Sequence, residues 1–487
     1  VVTGIDTKER SQMDSPPVFD LTVSQSPYLS TDSTTMDAIL TVTAVDVQRG
    51  PAVAAEVILL DCSGSMSAPP TKIAAARRAA AAAIDTVRDG TFFAVVEGAT
   101  HARMCYPTEP RLAVADAATK AQAKRHVAGI LAGGGTAMGT WLTLARELFA
   151  AHPDTIRHAV LLTDGQNIGE TATALDRVLD ECAGQFVCDA RGIGDDWDPR
   201  ELRRIVTVLR GTADAVSADS RLADDFRALT EAAMTKTVAD LRIRVTMMPG
   251  TELHILKQAH PRELDFTANP VRRDGPVWEF STGSWAAQDS REYHLALRVG
   301  RDDADPMAED LQAAEIELIA MTSGHDRVAE RCAPPEPVLV HWTFDPALST
   351  RIAPKVAHYS GQAELNKAVL AGFDAYDAKR YEDAAREWGH AVRLAEESDN
   401  SEIRRRLDLL VDVVDAAKGV VRIKSNVSRV DLLGMAVGSN ISSRSQSATG
   451  GSSRVSAGPP KPDITCANCG RVLPGSAKFC GVCKQSV

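Results

Sequence analysis

Asp61, Ser63 and Ser65 stand two residues apart in Asp61-Cys62-Ser63-Gly64-Ser65, directly after the apolar run Val57-Ile58-Leu59-Leu60. A carboxylate and two hydroxyls at alternate positions can aim three hard oxygens at one point where a buried strand ends. Such oxygens suit a small hard cation. Two later segments carry matching chemistry. Thr136 follows Gly133-Gly134-Gly135, which lets its backbone approach closely, and Asp164 follows the apolar run that ends at Leu162-Thr163. In a parallel sheet the loops after the strands lie along one edge, so Asp61, Ser63, Ser65, Thr136 and Asp164 can converge there. The plainer alternative is a polar loop in which Asp61 caps the next helix. Gly194-Asp195-Asp196-Trp197-Asp198 follows another strand end. Asp195 and Asp196 are candidates for a specificity rim around the metal, whereas Asp198 before Pro199 reads as a helix cap. Cys62 is expected to pack inward, because a thiolate is too soft for Mg²⁺.

A second cluster lies near the end of the chain. Cys466-x-x-Cys469 and Cys480-x-x-Cys483 have the paired spacing of a tetrahedral Zn²⁺ site. Four thiolates would close that site, making it structural; two disulfides are the alternative. The other five of the nine cysteines are scattered, which argues against a secreted disulfide scaffold and for a reducing, cytoplasmic compartment.

These residues need elements to hold them. A chain of 487 residues exceeds one core, so three or four units are expected. Residues 1–16 read as disordered. Residues 55–236 alternate unbroken apolar runs with helical segments, which predicts a doubly wound α/β domain with a parallel sheet covered on both faces. Strand-rich sequence flanks it at 17–54 and 237–346, predicting one β-sandwich into which the α/β domain is inserted. Residues 347–430 are predicted as a small helical bundle packing on the sandwich. Its helices are placed near 361–376, 380–397 and 401–418, with one tetratricopeptide-like unit at Tyr381–Trp388. Residues 431–463, rich in Ser and Gly beyond Asn440, read as a flexible linker to a tail at 464–487.

The set Asp61, Ser63, Ser65, Thr136, Asp164 resembles the metal-ion-dependent adhesion site of von Willebrand factor A domains, over residues 55–236. That resemblance implies that Asp61, Ser63 and Ser65 hold Mg²⁺ or Mn²⁺ directly or through water. Thr136 would join in the ligand-bound form, Asp164 would act through water, and one position would stay open for a partner's Asp or Glu. The tail resembles short zinc-ribbon families, and the order of units resembles bacterial A-domain proteins. The function expected is a metal-dependent protein-binding adaptor and not an enzyme, with an ATPase or a signalling protein among candidate partners.

Two other functions compete. A metal-dependent phosphatase using Asp61 would need a second aspartate at position 63, where this chain has serine. A subunit of a chelatase-like ATPase machine would dock on a motor, since the chain has no Walker A loop of its own. A net charge of −11 argues against general nucleic-acid binding, although the chain from Asn440 onward is mildly basic. No apolar run is long enough to span a membrane, and Val1-Val2-Thr3-Gly4 lacks the pattern of a secretory signal.

Overall fold

The computed structural model describes residues 18–46, 53–216, 219–301, 307, 309–321, 329–445, 464–468 and 472–473. The expected disorder at 1–16, the linker from 446 to 463, and Cys469, Cys480 and Cys483 lie outside them.

The α/β domain grows from five parallel strands: β1 (Ala54–Asp61), β2 (Phe92–Gly98), β3 (Ile156–Thr163), β4 (Val187–Ile193) and β5 (Ala213–Val216). They run in the order β5-β4-β3-β1-β2, with Arg103–Tyr106 antiparallel beside β2. Val57 and Leu59 point into one core and Ile58 and Leu60 into another, as the two-residue period of a strand requires. Both faces are therefore covered. Helix α1 (Thr71–Thr86) lays Ala75, Ala76, Ala79, Ala80 and Ala83, all fully buried, on one face. The small side chains let this helix lie close to the sheet. Helices α2 (Ala117–Ala128), α3 (Met138–Ala150), α4 (Ala172–Cys182), α5 (Pro199–Val208) and α6 (Asp219–Met234) complete the layers.

Residues 18–25 and 35–46 join strands 290–299, 251–260 and 264–265 in one antiparallel sheet. The early strand 35–46 pairs directly with the late strand 290–299: Leu40 faces Tyr293 and Val42 faces Arg291. A second sheet contains strands 272–274, 277–281, 240–247, 310–321, 336–343 and 28–30. Phe19, Leu40 and Leu295 from the first sheet share a core with Leu241, Ile316 and Val340 from the second. The chain thus starts in this pair of sheets, leaves for the α/β domain after Asp46, and returns near Lys236.

The helical segment departs from expectation in three ways. Helices α7 (Pro354–Asp377), α8 (Tyr381–Glu397) and α9 (Ser401–Leu410) are present, but the third stops at Leu410 instead of 418. Val411–Asp415 then pairs with Val420–Ile423 as a hairpin, as β-branched Val411, Val413 and Val414 favour. Residues 431–445 are not linker: α10 (Arg429–Val437) buries Leu432, Leu433, Met435 and Val437. The segment also packs on the α/β domain and not only on the flanking sheets. Phe373, Trp388 and Leu433 share one core with Trp141 and Leu161. Arg406 clamps Asp214 of β5 at 2.8 Å. Toward the sheets, Lys355 and Tyr359 both bond Glu292, Lys355 at 2.7 Å.

Two tryptophans lock the strand ends near the candidate site. Trp141 donates to the Ala99 carbonyl at 2.8 Å and Trp197 to the Gly194 carbonyl at 3.1 Å. A Cβ at Gly192 would sit 2.1 Å from the Trp197 ring, which is buried. Gly192→Ala should therefore cost about 1–3 kcal/mol or more by overpacking, read as a lower urea midpoint. An unchanged midpoint would show that the ring can move aside.

Candidate metal centre

Where the chain order reverses, between β1 and β3, an α/β sheet opens a crevice at its carboxyl edge. Asp61 is the last residue of β1, and Asp164 directly follows β3. Both carboxyls are fully buried, Ser63 and Thr136 are nearly so, and Ser65 is exposed. Asp61 is fixed from both sides. Its Oδ1 accepts from the Ser63 amide at 2.8 Å, and its Oδ2 accepts from the Thr163 hydroxyl at 2.7 Å. Burial holds the Asp61 carboxyl above the usual carboxylate range, and the hydrogen bonds from Ser63 and Thr163 oppose that rise.

The hydroxyls form a chain to the second carboxylate. Ser63 and Ser65 hydroxyls lie 2.9 Å apart, and Ser65 donates to Asp164 Oδ1 at 2.7 Å. Thr136 reaches the same edge. A Cβ built at Gly165 would meet the Ser65 hydroxyl at 3.3 Å and the Thr136 hydroxyl at 3.7 Å. Glycine at 165 thus leaves the space between these oxygens open. The glycine loop is stitched to the first loop by Gly64 N–H to the Gly134 carbonyl (2.9 Å) and Gly133 N–H to the Cys62 carbonyl (2.7 Å). Gly134 has φ +87°, which a residue with a Cβ rarely adopts.

All five residues therefore gather at one edge. The donors are two carboxylates and three hydroxyls, all hard oxygens, and they fit Mg²⁺ or Mn²⁺ better than a softer metal. Among the described residues no group of three or more His, Cys, Asp or Glu could hold a metal. A cation here would rest on hydroxyls and water for most of its ligands.

The remaining candidates divide. Asp195 and Asp196 follow the end of β4 in an outward-facing loop. Asp198 accepts from the Arg200 amide at 2.8 Å and caps α5. Cys62 is buried, and burial beside Glu97 and Asp61 pushes its thiol far up, so it stays protonated. Cys466 is buried and follows a short pairing of Ile464 with Leu473 and Thr465 with Val472.

Sequence reasoning missed two residues that shape the centre. Thr163 holds Asp61, and its position next to Asp164 was the available signal. Lys72, in the first turn of α1, pairs with Asp164 Oδ2 at 2.8 Å, with its side chain 10% exposed and the carboxylate fully covered. A lysine seven residues after Ser65 gives no local sign of this contact. Its amine also lies against Gly194, which brings the Asp195–Asp196 loop alongside.

Residues 55–215 match the von Willebrand factor type A domain, and residues 393–439 match the von Willebrand factor type A C-terminal domain. The second match covers the end of α8, α9, the hairpin and α10. A von Willebrand factor type A structure from Catenulispora acidiphila is similar at 38% identity and TM-score 0.81, over 88% of this chain and 97% of its own. The ArnB paralog VWA2 from Sulfolobus acidocaldarius is similar in fold, at 13% identity and TM-score 0.54, over 87% of this chain and 98% of its own. Comparison with curated proteins gives no match. The chain belongs to the von Willebrand factor type A family.

Proposed function

We propose that the protein is a metal-dependent adaptor: Asp61, Ser63, Ser65, Thr136 and Asp164 hold Mg²⁺ or Mn²⁺, and an Asp or Glu of a partner protein completes the site. The observation that carries this reading is the convergence of five hard-oxygen side chains, only two of them charged, at the carboxyl edge of the sheet. When bound, the cation supplies an electron-poor acceptor for a carboxylate. Lys72 strengthens the case. By pairing with Asp164 it cancels one of the two negative charges, so the site under-neutralises a divalent ion and favours an anionic partner. Both oxygens of Asp61 are already held by Ser63 and Thr163, which suits a fixed ligand better than a nucleophile. That arrangement speaks for binding rather than phosphatase chemistry.

Asp195 and Asp196, in the loop beside Lys72, would form the specificity rim. The tail cysteines Cys466, Cys469, Cys480 and Cys483 would hold Zn²⁺ as a second interaction module. Cys62, Cys105, Cys182, Cys188 and Cys332 are buried free thiols, which suits the cytoplasm. Among the described residues no helix is long and apolar enough to cross a membrane.

Affinity capture with the full chain in Mg²⁺ and in EDTA tests the reading. Partners should be retained only with the metal, and recovery should fall when a soluble acidic peptide competes. Capture equal in both buffers would remove the metal bridge.

A further inference from the structure

At the edge of the parallel sheet opposite the candidate metal centre, a cavity of about 330 Å³ lies between the α/β domain and the antiparallel sheets. Its walls include Ile156 and Val187, the first residues of β3 and β4, and Phe266, Thr282 and Arg291 from the sheets. Most charges around it are matched. Asp289 accepts from Lys236 at 2.9 Å and from Arg291 at 3.3 Å. His158 bridges Glu56 and Asp189, each at 2.9 Å.

Two guanidinium groups take part in no ion pair among the described residues, although Asp240 acts on Arg210 and Asp214 on Arg262 from farther off. Arg210 donates to the Ser281 hydroxyl and stacks 5.5 Å from the Phe266 ring, with no carboxylate partner among the described residues. Arg262 has no side-chain hydrogen bond or ion pair among the described residues. Burial lowers the proton affinity of both, the mark of cations removed from water without full compensation. Arg210 also holds φ +58°, a left-handed conformation that strains a residue with a side chain. Among the residues that line the cavity, the basic side chains Arg210, Arg262, Arg291, Lys236 and His158 outnumber the carboxylates Asp189 and Asp289.

We infer that this cavity is a binding site for a small organic phosphate, with Arg210 and Arg262 taking the phosphoryl group. A phosphate monoester carries about −1.5 to −2 near pH 7 and so offers two guanidinium groups more charge than a monocarboxylate does. Guanidinium forks bond phosphate oxygens in pairs. The space exceeds what an inorganic anion fills, and Phe266, Leu264 and Leu229 supply an apolar wall for the rest of the molecule. The ligand would touch both the α/β domain and the antiparallel sheets, so its binding would tie them together.

Calorimetry on the full chain with phenyl phosphate, inorganic phosphate and benzoate tests this. Phenyl phosphate should bind saturably at one site, more tightly than inorganic phosphate, with benzoate weakest. Arg262→Met should weaken phenyl phosphate roughly tenfold or more, and Arg262→Lys should retain part of the affinity. Binding should persist in EDTA and in Asp61→Ala, which separates it from any phosphate held at the metal centre. The inference falls if wild-type protein shows no saturable binding up to ~10 mM. It also falls if benzoate equals phenyl phosphate, if EDTA abolishes binding, or if both Arg262 variants bind as wild type. The wild-type isotherms decide the matter even if Arg262→Met does not fold.

Discussion

Asp61→Ala should abolish divalent-cation binding, weakening Mn²⁺ by roughly 100-fold or more, because it removes the one carboxylate at the site that no lysine neutralises. Asp61→Asn should lose the metal as fully while keeping the side chain's shape: its Oδ1 can accept from the Ser63 amide, and its Nδ2 can donate to the Thr163 hydroxyl once that hydroxyl turns from donor to acceptor. The two variants also separate function from stability. Burial already disfavours the ionised Asp61 carboxyl, so the asparagine variant should be at least as stable as wild type when metal is absent. In Mn²⁺ the order should reverse, since only the wild type gains binding energy on the folded side. Lys72→Met should act oppositely on the ion. With Asp164 released from its ammonium partner, Mn²⁺ should bind more tightly and acetate should add less to the complex. Titration calorimetry with Mn²⁺, with and without acetate, reads all three variants. If Asp61→Ala binds Mn²⁺ as wild type does, the ion is held elsewhere. If Lys72→Met binds more weakly, the lysine serves only to orient Asp164.

How far the sequence reveals this centre depends on distance along the chain. Asp61, Ser63 and Ser65 declare themselves because they are neighbours on one strand end. Thr136 and Asp164 are legible because each follows its own local signal, a glycine run and a buried strand. The parallel sheet is legible for the same reason: unbroken apolar runs such as Val57–Leu60 and Ala159–Leu162 can only be buried on both faces. Lys72 is not legible, since its partner lies 92 residues away and a lysine on a helix is ordinarily solvated. The hairpin at 411–423 is masked by a helical run, Ile403–Leu410, that leads straight into it. The linker boundary moves for a related reason. Leu432, Leu433 and Met435 look like a short apolar stretch before a Ser-rich tail, and only packing against β5 and α5 shows that they are core. The cavity between the domains is the extreme case. Arg210 and Arg262 come to line one cavity only through the return of the chain to its first sheets, which no local pattern encodes.

His158→Leu should destabilise the fold by about 3–5 kcal/mol at neutral pH, because it leaves two buried carboxylates without their cation. The imidazole is 7% exposed, with Nδ1 2.9 Å from Glu56 and Nε2 2.9 Å from Asp189. Both nitrogens can donate only if the ring is protonated. Burial alone would lower its pKa; the Glu56 and Asp189 carboxylates outweigh burial and raise it to about 10. Asp189 is correspondingly held below the usual carboxylate range against its own burial, whereas burial keeps Glu56 above it. The folded-state value for His158 exceeds the unfolded value near ~6.5. The charged imidazole therefore contributes its full stabilisation below about pH 6.5, and that contribution is lost as pH rises through about 10. Urea denaturation of wild type and His158→Leu across that interval should show the gap narrowing as the wild-type ring loses its proton. Pairing His158→Leu with Glu56→Gln and Asp189→Asn should recover most of the loss, since neutral groups leave no charge to strand. A gap of constant size from about pH 6 to about pH 10 would mean that the ring is neutral and that its packing, not its charge, holds β1, β3 and β4 together at this end of the sheet.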